Sequence, residues 1–361
     1  MRKPSARWLV PLSITAIILG TVAATTVIKA SAGASLAPRT PAQLLADAQT
    51  ATVGSAIGTL VEHADLDIPA LPAGVGGDGS AQFDSLITGS HTLRLWYDGA
   101  LRERLALIGT LGESDIIRNG ADLWIWSSNG NKVTHVKVPT APTGAAKPAP
   151  SAMALTPSAI ATALLGKLSP STSITSGHNT TVAGRAAYTL MIAPKDPASL
   201  VGSIRIAIDA QRHLPLRVQV FPVGSTKAAF EIGFTEINFV TPDPGTFDFN
   251  PPPHPTSTPL GPALGGLGSM SSSGAGPTMI GSGWTAIAAG PMPFVDNGPG
   301  GQGDSAIDAI AKALPTVNGP WGTGKLLRTK LFSALLVSDR IYIGAVTSNS
   351  LLAAVTNALA K

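Results

Sequence analysis

The sequence predicts an α+β protein: an antiparallel β-sheet of successive hairpins, short helices over its apolar face, and a small C-terminal α+β module. Three observations lead there. Strand-like runs are joined by Asp98-Gly99, Asn119-Gly120 and Asn129-Gly130, dipeptides that favour tight hairpin turns. Thr40-Pro41 and Thr156-Pro157 each set a capping side chain before a proline suited to the first helical position. A Pro/Gly/Ser-rich tract over 250–283 then separates a large segment from a short tail.

Taken in order, the helix opened by Thr40 carries Leu44, Leu45 and Ala48 on one face. From Gly54 the period becomes two, with Gly58, Leu60, Glu62 and Ala64 alternating with Ile57, Thr59, Val61 and His63. Residues 69–80 read as a Pro/Gly-rich loop. The meander runs through His91–Tyr97, Leu101–Ile108, Ser114–Arg118, Leu123–Trp126 and Val133–Val138. A low-complexity loop, 139–152, precedes a helix whose apolar side holds Ile160, Leu164, Leu165 and Leu168. Strands resume at Ala186–Ala193, Ser203–Ile208, Leu216–Phe221 and Ala228–Val240. In the tail we expect a helix over Asp304–Leu314, strands over Leu326–Val337 and Arg340–Ala345 about a Ser338-Asp339 turn, and a helix over Ser348–Leu359. These form a separate module or return to the main sheet. The expected divisions are 1–34, 35–253, a linker at 254–283, and 284–361.

The chain has 361 residues, enough for about two domains. Charged residues are 13% of it, with a net charge of +4, and the lysines and arginines are scattered. No basic stripe with interleaved aromatics marks a nucleic-acid surface. With no cysteine, the chain has no disulfide, thiolate metal site or thiol nucleophile, and no cysteine to carry an acyl anchor.

Arg2, Lys3 and Arg7 precede an uncharged run from Leu9 to Ile28, followed by Ala30-Ser31-Ala32 and Ala32-Gly33-Ala34. This is the layout of a secretory signal. The run, about 20 residues, also suffices for a membrane-spanning anchor, and Lys29 at its exit suits retention. Under either reading the remainder lies outside the cytoplasm, in solution or at the outer face of the cytoplasmic membrane.

Four stretches carry a resemblance to a known family: TPAQLLADAQ (40–49), RNGADLWIWSSNGNKVTHVKV (118–138), IDAQRHLPLRVQVF (208–221) and FTEINFVTPDPGTFDFNPPP (234–253). Their order and spacing resemble the periplasmic lipoprotein-carrier (LolA-like) superfamily, which includes the RseB/MucB-type regulators of envelope-stress sigma factors. The resemblance implies a strongly bent antiparallel sheet, a half-barrel whose concave face and covering helices enclose an apolar cavity for acyl chains. It also implies no covalent chemistry and no cofactor. It does not extend to 284–361.

Alternation agrees with an apolar face. Leu93, Leu95, Leu105, Leu107, Leu123, Ile125, Leu190, Ile206, Ile208, Val218, Phe230, Ile232 and Phe234 are the candidate wall, and Leu44, Leu45, Ile160 and Leu164 the candidate lid. The alternative is a filled core. Lys325, Arg328 and Lys330 form a local positive cluster, a candidate contact for lipid head groups or an acidic partner, or a charged guard on an edge strand.

Other motifs are weaker. Gly319 to Lys325 has a phosphate-loop skeleton, but Leu326 stands where a magnesium-binding hydroxyl belongs. The glycines of 74–79 lack the strand and helix of a dinucleotide site. The six histidines form no metal-ligand pair in sequence. Asp65 and Asp67 are read as one face of a strand end, and Trp124 and Trp126 as core or rim aromatics or a stacking platform. With no recognisable nucleophile or metal motif, the expectation is a non-enzymatic protein that holds a lipid or lipoprotein acyl chain. The alternative is a sensor that regulates a membrane anti-sigma factor.

Overall fold

Both Thr-Pro pairs start helices. The structure, a computed structural model, describes residues 36–68, 81–138, 152–166, 170–257, 278–291, 312–338 and 340–359. In α1 (Pro41–Thr50) the Thr40 hydroxyl accepts from the Gln43 amide, and the Gln43 side chain accepts from the Thr40 amide. This reciprocal cap satisfies two otherwise orphaned N–H groups. In α2 (Pro157–Leu165) Thr156 accepts from the Ala159 amide.

The main sheet has 13 strands and grows from β1 (Ser55–Ala64) in both directions. On one side β1 is followed by β2 (Gly89–Asp98), β3 (Arg102–Ile108), β4 (Glu113–Asn119), β5 (Asp122–Ser127) and β6 (Lys132–Lys137). On the other it pairs with β12 (Phe230–Asn238), then β11 (Pro215–Pro222), β10 (Val201–Asp209) and β9 (Arg185–Pro194). The edge beyond β9 is shared by β7 (Thr172–Ser176) and β8 (Thr180–Val182). Two meanders therefore meet at the β1–β12 pair, where Leu60 faces Phe234 and Ala64 faces Phe230. Pairing is antiparallel except at β13 (Thr256–Ser257), which lies parallel to β6. The sheet is open, and register shifts at Thr59/Leu60, Val201/Ser203 and Ala207/Ile208 bend its strands. The hairpin dipeptides behave as the sequence suggests: Gly99, Gly120 and Gly130 have φ of 78°, 64° and 73°.

Apolar alternation turns one face of both meanders toward α1 and α2. Leu44 and Ala48 of α1 are buried, as are Pro157, Ala161 and Leu165 of α2. The i, i+4 spacing of the last three keeps the expected Leu165 on the buried stripe but leaves the expected Ile160 and Leu164 half-buried, as is Leu45 of α1. Leu168 lies outside the described residues.

The Phe/Pro-rich coda after β12 crosses the opposite face of the first meander as a strap. Phe247 is buried there, Phe249 sits 5.6 Å from Trp124 and 6.2 Å from Trp126, and Asn119 donates to Asp248. Asn131 then donates to the Pro253 carbonyl, and β13 joins the sheet edge.

A second, six-stranded sheet follows, in the order β14 (Thr278–Ile280), β15 (Ile287–Pro291), β19 (Arg340–Gly344), β18 (Ser333–Val337), β17 (Gly322–Arg328) and β16 (Thr316–Gly319). The tail thus forms its own sheet, backed by α3 (Ser348–Leu359) through Leu351 and Val355. The single strand expected over Leu326–Val337 is two. Thr329 breaks it, its hydroxyl accepting from the Leu331 and Phe332 amides, a turn made by a hydroxyl without Gly or Pro. The 304–314 helix and the Ser338-Asp339 turn fall largely outside the described residues.

The second sheet docks on one end of the first. The Leu200 amide donates to the Ala345 carbonyl at 2.8 Å, the Lys330 amide to Leu66 at 3.0 Å, and the Trp284 indole to Thr172 at 2.9 Å.

Candidate functional site

Cross-strand register places the whole candidate wall on the helix-covered face. Leu60 opposes Leu93, Leu93 opposes Leu107, Leu95 opposes Leu105, Leu105 opposes Ile116, and Ile116 opposes Ile125. In the second meander Phe234, Ile232, Val218, Ile206 and Leu190 form the equivalent row, with Phe230 and Ile208 on the same face. Leu93, Leu95, Leu105, Leu107, Leu123, Leu190, Ile206, Ile208, Val218, Ile232 and Phe234 are buried, while Ile125 and Phe230 are half-buried. Gly58 lets the rows meet: a Cβ there would lie 2.8 Å from the Phe234 ring.

Between this face and the helices lies a small chamber lined by Val53, Ala56, Leu95, Tyr97, Met153, Thr156, Ser158, Leu214, Phe234 and Ile237. Its free volume is about 10 Å³, room for about one water. The helices rest on the wall, and the wall residues pack against one another.

At one end the apolar row changes character. Glu62 and His91 are cross-strand partners on the core face, and both are buried. His91 Nδ1 lies 3.0 Å from Glu62 Oε2, and its Nε2 lies 3.0 Å from Ser85 Oγ. Ser85 donates its one proton to the Gln82 carbonyl at 2.6 Å, so His91 Nε2 is the donor toward Ser85. The order Ser–His–Glu imitates a hydrolytic relay. The hydroxyl proton points away from the imidazole, however, and Ser85 is 0% exposed, so no substrate reaches it. Burial pushes the Glu62 carboxyl above its usual range against the pull of His91. The cluster anchors the end of the wall. Sequence reasoning missed it, although period two already set Glu62 in line with Leu60 and His91 in line with Leu93.

The positive cluster is largely committed internally. Lys330 Nζ lies 2.7 Å from Asp65 and 3.3 Å from Asp67, and Lys325 donates to the Leu314 carbonyl at 3.0 Å. Arg328 is exposed. Asp65 and Asp67 follow the end of β1, and Asp67 has φ of +60°, so they do not share the strand face expected of them. They clamp the second sheet to the first. Hydrogen bonds from Lys330 and Lys227 hold the Asp65 carboxyl below its usual range.

Gly319 to Lys325 forms the β16–β17 hairpin, with no helix to receive a phosphate. The glycines of 74–79 lie outside the described residues. Trp124 stacks on His135 at 3.8 Å and meets Phe249 under the strap, which accounts for its conspicuous pairing with Trp126. Among the described residues, no three His, Asp or Glu side chains converge as a metal site, and no helix is long and apolar enough to cross a membrane.

No family model and no curated protein matches the sequence. Among solved structures, the MucA/MucB complex of Pseudomonas aeruginosa overlaps at 15% identity and a TM-score of 0.40, covering 85% of this chain and 93% of that one. A LolA superfamily protein, NE2245 from Nitrosomonas europaea, overlaps at 8% identity and a TM-score of 0.22, covering 59% and 99%. A putative outer membrane lipoprotein-sorting protein domain from Vibrio parahaemolyticus overlaps at 11% identity and a TM-score of 0.23, covering 58% and 94%. At this degree of overlap the likenesses assign no function. The chain is similar to MucB and LolA-superfamily structures, the same two kinds of protein that its sequence motifs resemble.

Proposed function

We propose that the protein acts outside the cytoplasm, without covalent chemistry, by taking up a lipid or lipoprotein acyl chain between the lid helices and the apolar sheet face. The observation carrying this reading is the continuous apolar wall across both meanders, covered among the described residues by the two short helices on the second meander and by the 3-10 turn Ala152–Leu155 on the first, with an apolar seam beneath them. Uptake requires the lid to lift. Burial of a long acyl chain, at about 0.8 kcal/mol per CH₂, supplies on the order of 10 kcal/mol toward replacing the contacts of the lid.

Native mass spectrometry of the full chain, purified gently from a membrane-containing lysate, tests this directly. A discrete added mass that extracts as lipid is expected, and Ile206→Asp or Ile232→Asp should abolish it. A clean apo mass after incubation with lipid vesicles would refute uptake. The tight seam and the docked second sheet favour a second reading in that case, a regulator that contacts a membrane anti-sigma factor. Deleting 284–361 should then change a stress response, and an unchanged transcript profile would count against it.

A further inference from the structure

On the second meander, the face away from the helices holds a groove of about 610 Å³ that the apolar-ligand reading leaves unused. Its floor is Thr189, Arg205, Ala207, Arg217 and Gln219, the side of β9, β10 and β11 opposite Leu190, Ile206 and Val218. Its wall is the Ser176–Thr180 segment, where the edge strand leaves the sheet after β7 and rejoins it at β8. The Gly177 amide still donates to the Thr189 carbonyl, so the segment is tied at its base while His178 and Asn179 stand exposed.

The chemistry of the lining is one-sided. It contains two guanidiniums, an imidazole, two side-chain amides and three hydroxyls, and no carboxylate. Arg205 lies over the Phe221 ring at 4.2 Å and has no ion-pair partner among the described residues. Stacking fixes its plane at little entropic cost while leaving its charge uncompensated. Arg217 reaches Thr180 at 3.5 Å and lies 4.0 Å from Glu231, which faces a neighbouring groove and also accepts from Gln219 at 2.8 Å. Donors therefore approach from the floor and from the wall. A tetrahedral anion, with acceptors on every side, matches two-sided donation better than a planar carboxylate.

We propose that this groove binds a phosphate ester, with Arg205 as the principal anchor, assisted by Arg217 and the His178–Asn179 wall. The β-sheet separates it from the apolar wall, so it stands or falls independently of acyl-chain uptake. The ester is either a free monoester or the diester of a lipid head group. Calorimetric titration of the full chain with glycerol 3-phosphate, and separately with a water-soluble short-chain phosphatidylglycerol, distinguishes the two. Saturable binding of either supports the site and names the source. Arg205→Gln should weaken it by about tenfold, as expected for a lost charge-assisted hydrogen bond, with partial recovery in Arg205→Lys and a smaller loss in His178→Ala. Thermal melts of the variants should match wild type. Absence of binding by both esters, unchanged affinity in Arg205→Gln, or tighter binding of a tetraglutamate peptide would each overturn the assignment.

Discussion

Asp115 is a carboxylate with its charge held under the strap, and Asp115→Asn tests how much that placement costs. Its side chain is 1% exposed and accepts from Arg104 Nη2 at 2.8 Å. The same nitrogen is 3.6 Å from Glu113, and Arg104 Nη1 donates to the strap at the Thr246 carbonyl. One guanidinium thus serves two carboxylates and a carbonyl. Burial, with Glu113 adding to it and Arg104 opposing, pushes the Asp115 carboxyl from 3.8 up to about 6. A folded-state value above the unfolded one means stability is fully present below about pH 3.8 and is lost as pH rises through about 6. The gap of roughly two units corresponds to about 3 kcal/mol. Asparagine keeps the shape and an acceptor for Arg104 but does not titrate. The stability of Asp115→Asn relative to wild type should therefore rise by about 2 kcal/mol between pH 4 and pH 7. Urea unfolding at pH 4, 5, 6 and 7, followed by tryptophan fluorescence, measures it. Curves that stay parallel to within about 0.5 kcal/mol across that range would refute the account.

The strap itself is tested by Phe247→Ala, which should cost about 3–5 kcal/mol in urea unfolding, as for other buried aromatics. Asp209 accepts from two nitrogens of Arg185 and from the Gln211 and Arg212 amides, so Asp209→Ala should cost about 3 kcal/mol at neutral pH. Burial raises the Asp209 carboxyl, but these donors outweigh it and hold it below 3.8. Its contribution is therefore present above that pH and disappears as pH falls through the lower folded value, so the two proteins should converge in strong acid. Gly58→Ala places a Cβ 2.8 Å from the Phe234 ring and 2.9 Å from the Glu236 carbonyl, and should lower stability by about 1–3 kcal/mol without abolishing folding.

What the sequence reveals depends on how local the cause is. The hairpins are legible because Gly99, Gly120 and Gly130 must hold positive φ, and the helix starts because Thr40 and Thr156 cap within three residues. The apolar wall is legible because period two writes its facing into every strand. Less local features are silent. Nothing near Lys330 announces that Asp65 will neutralise it. The two tryptophans read as core or rim aromatics or as a stacking platform, and only Phe249 arriving from the coda decides between them. Nothing near Arg205 and Arg217 in the chain marks them, and only the detour at Gly177–Asn179 makes them a groove. The strand break at Thr329 is local, yet its hydroxyl-based turn lacks the usual Gly or Pro mark.

The seam between the meanders has a consequence for the order of assembly. Each meander closes through neighbours in sequence, and such loops are short. β1, at the centre of the sheet, is made early, yet its second partner, β12, is made after both meanders' other strands. Closing that long loop carries an entropic penalty that grows only slowly with length, but the search is slow because the contact is so distant in the chain. Until then one edge of β1 presents unpaired N–H and C=O groups to any other strand. A chain emerging from its N-terminus would thus pass through a stage with an aggregation-prone edge in its middle, and would depend on whatever shields that edge until residues 230–238 arrive.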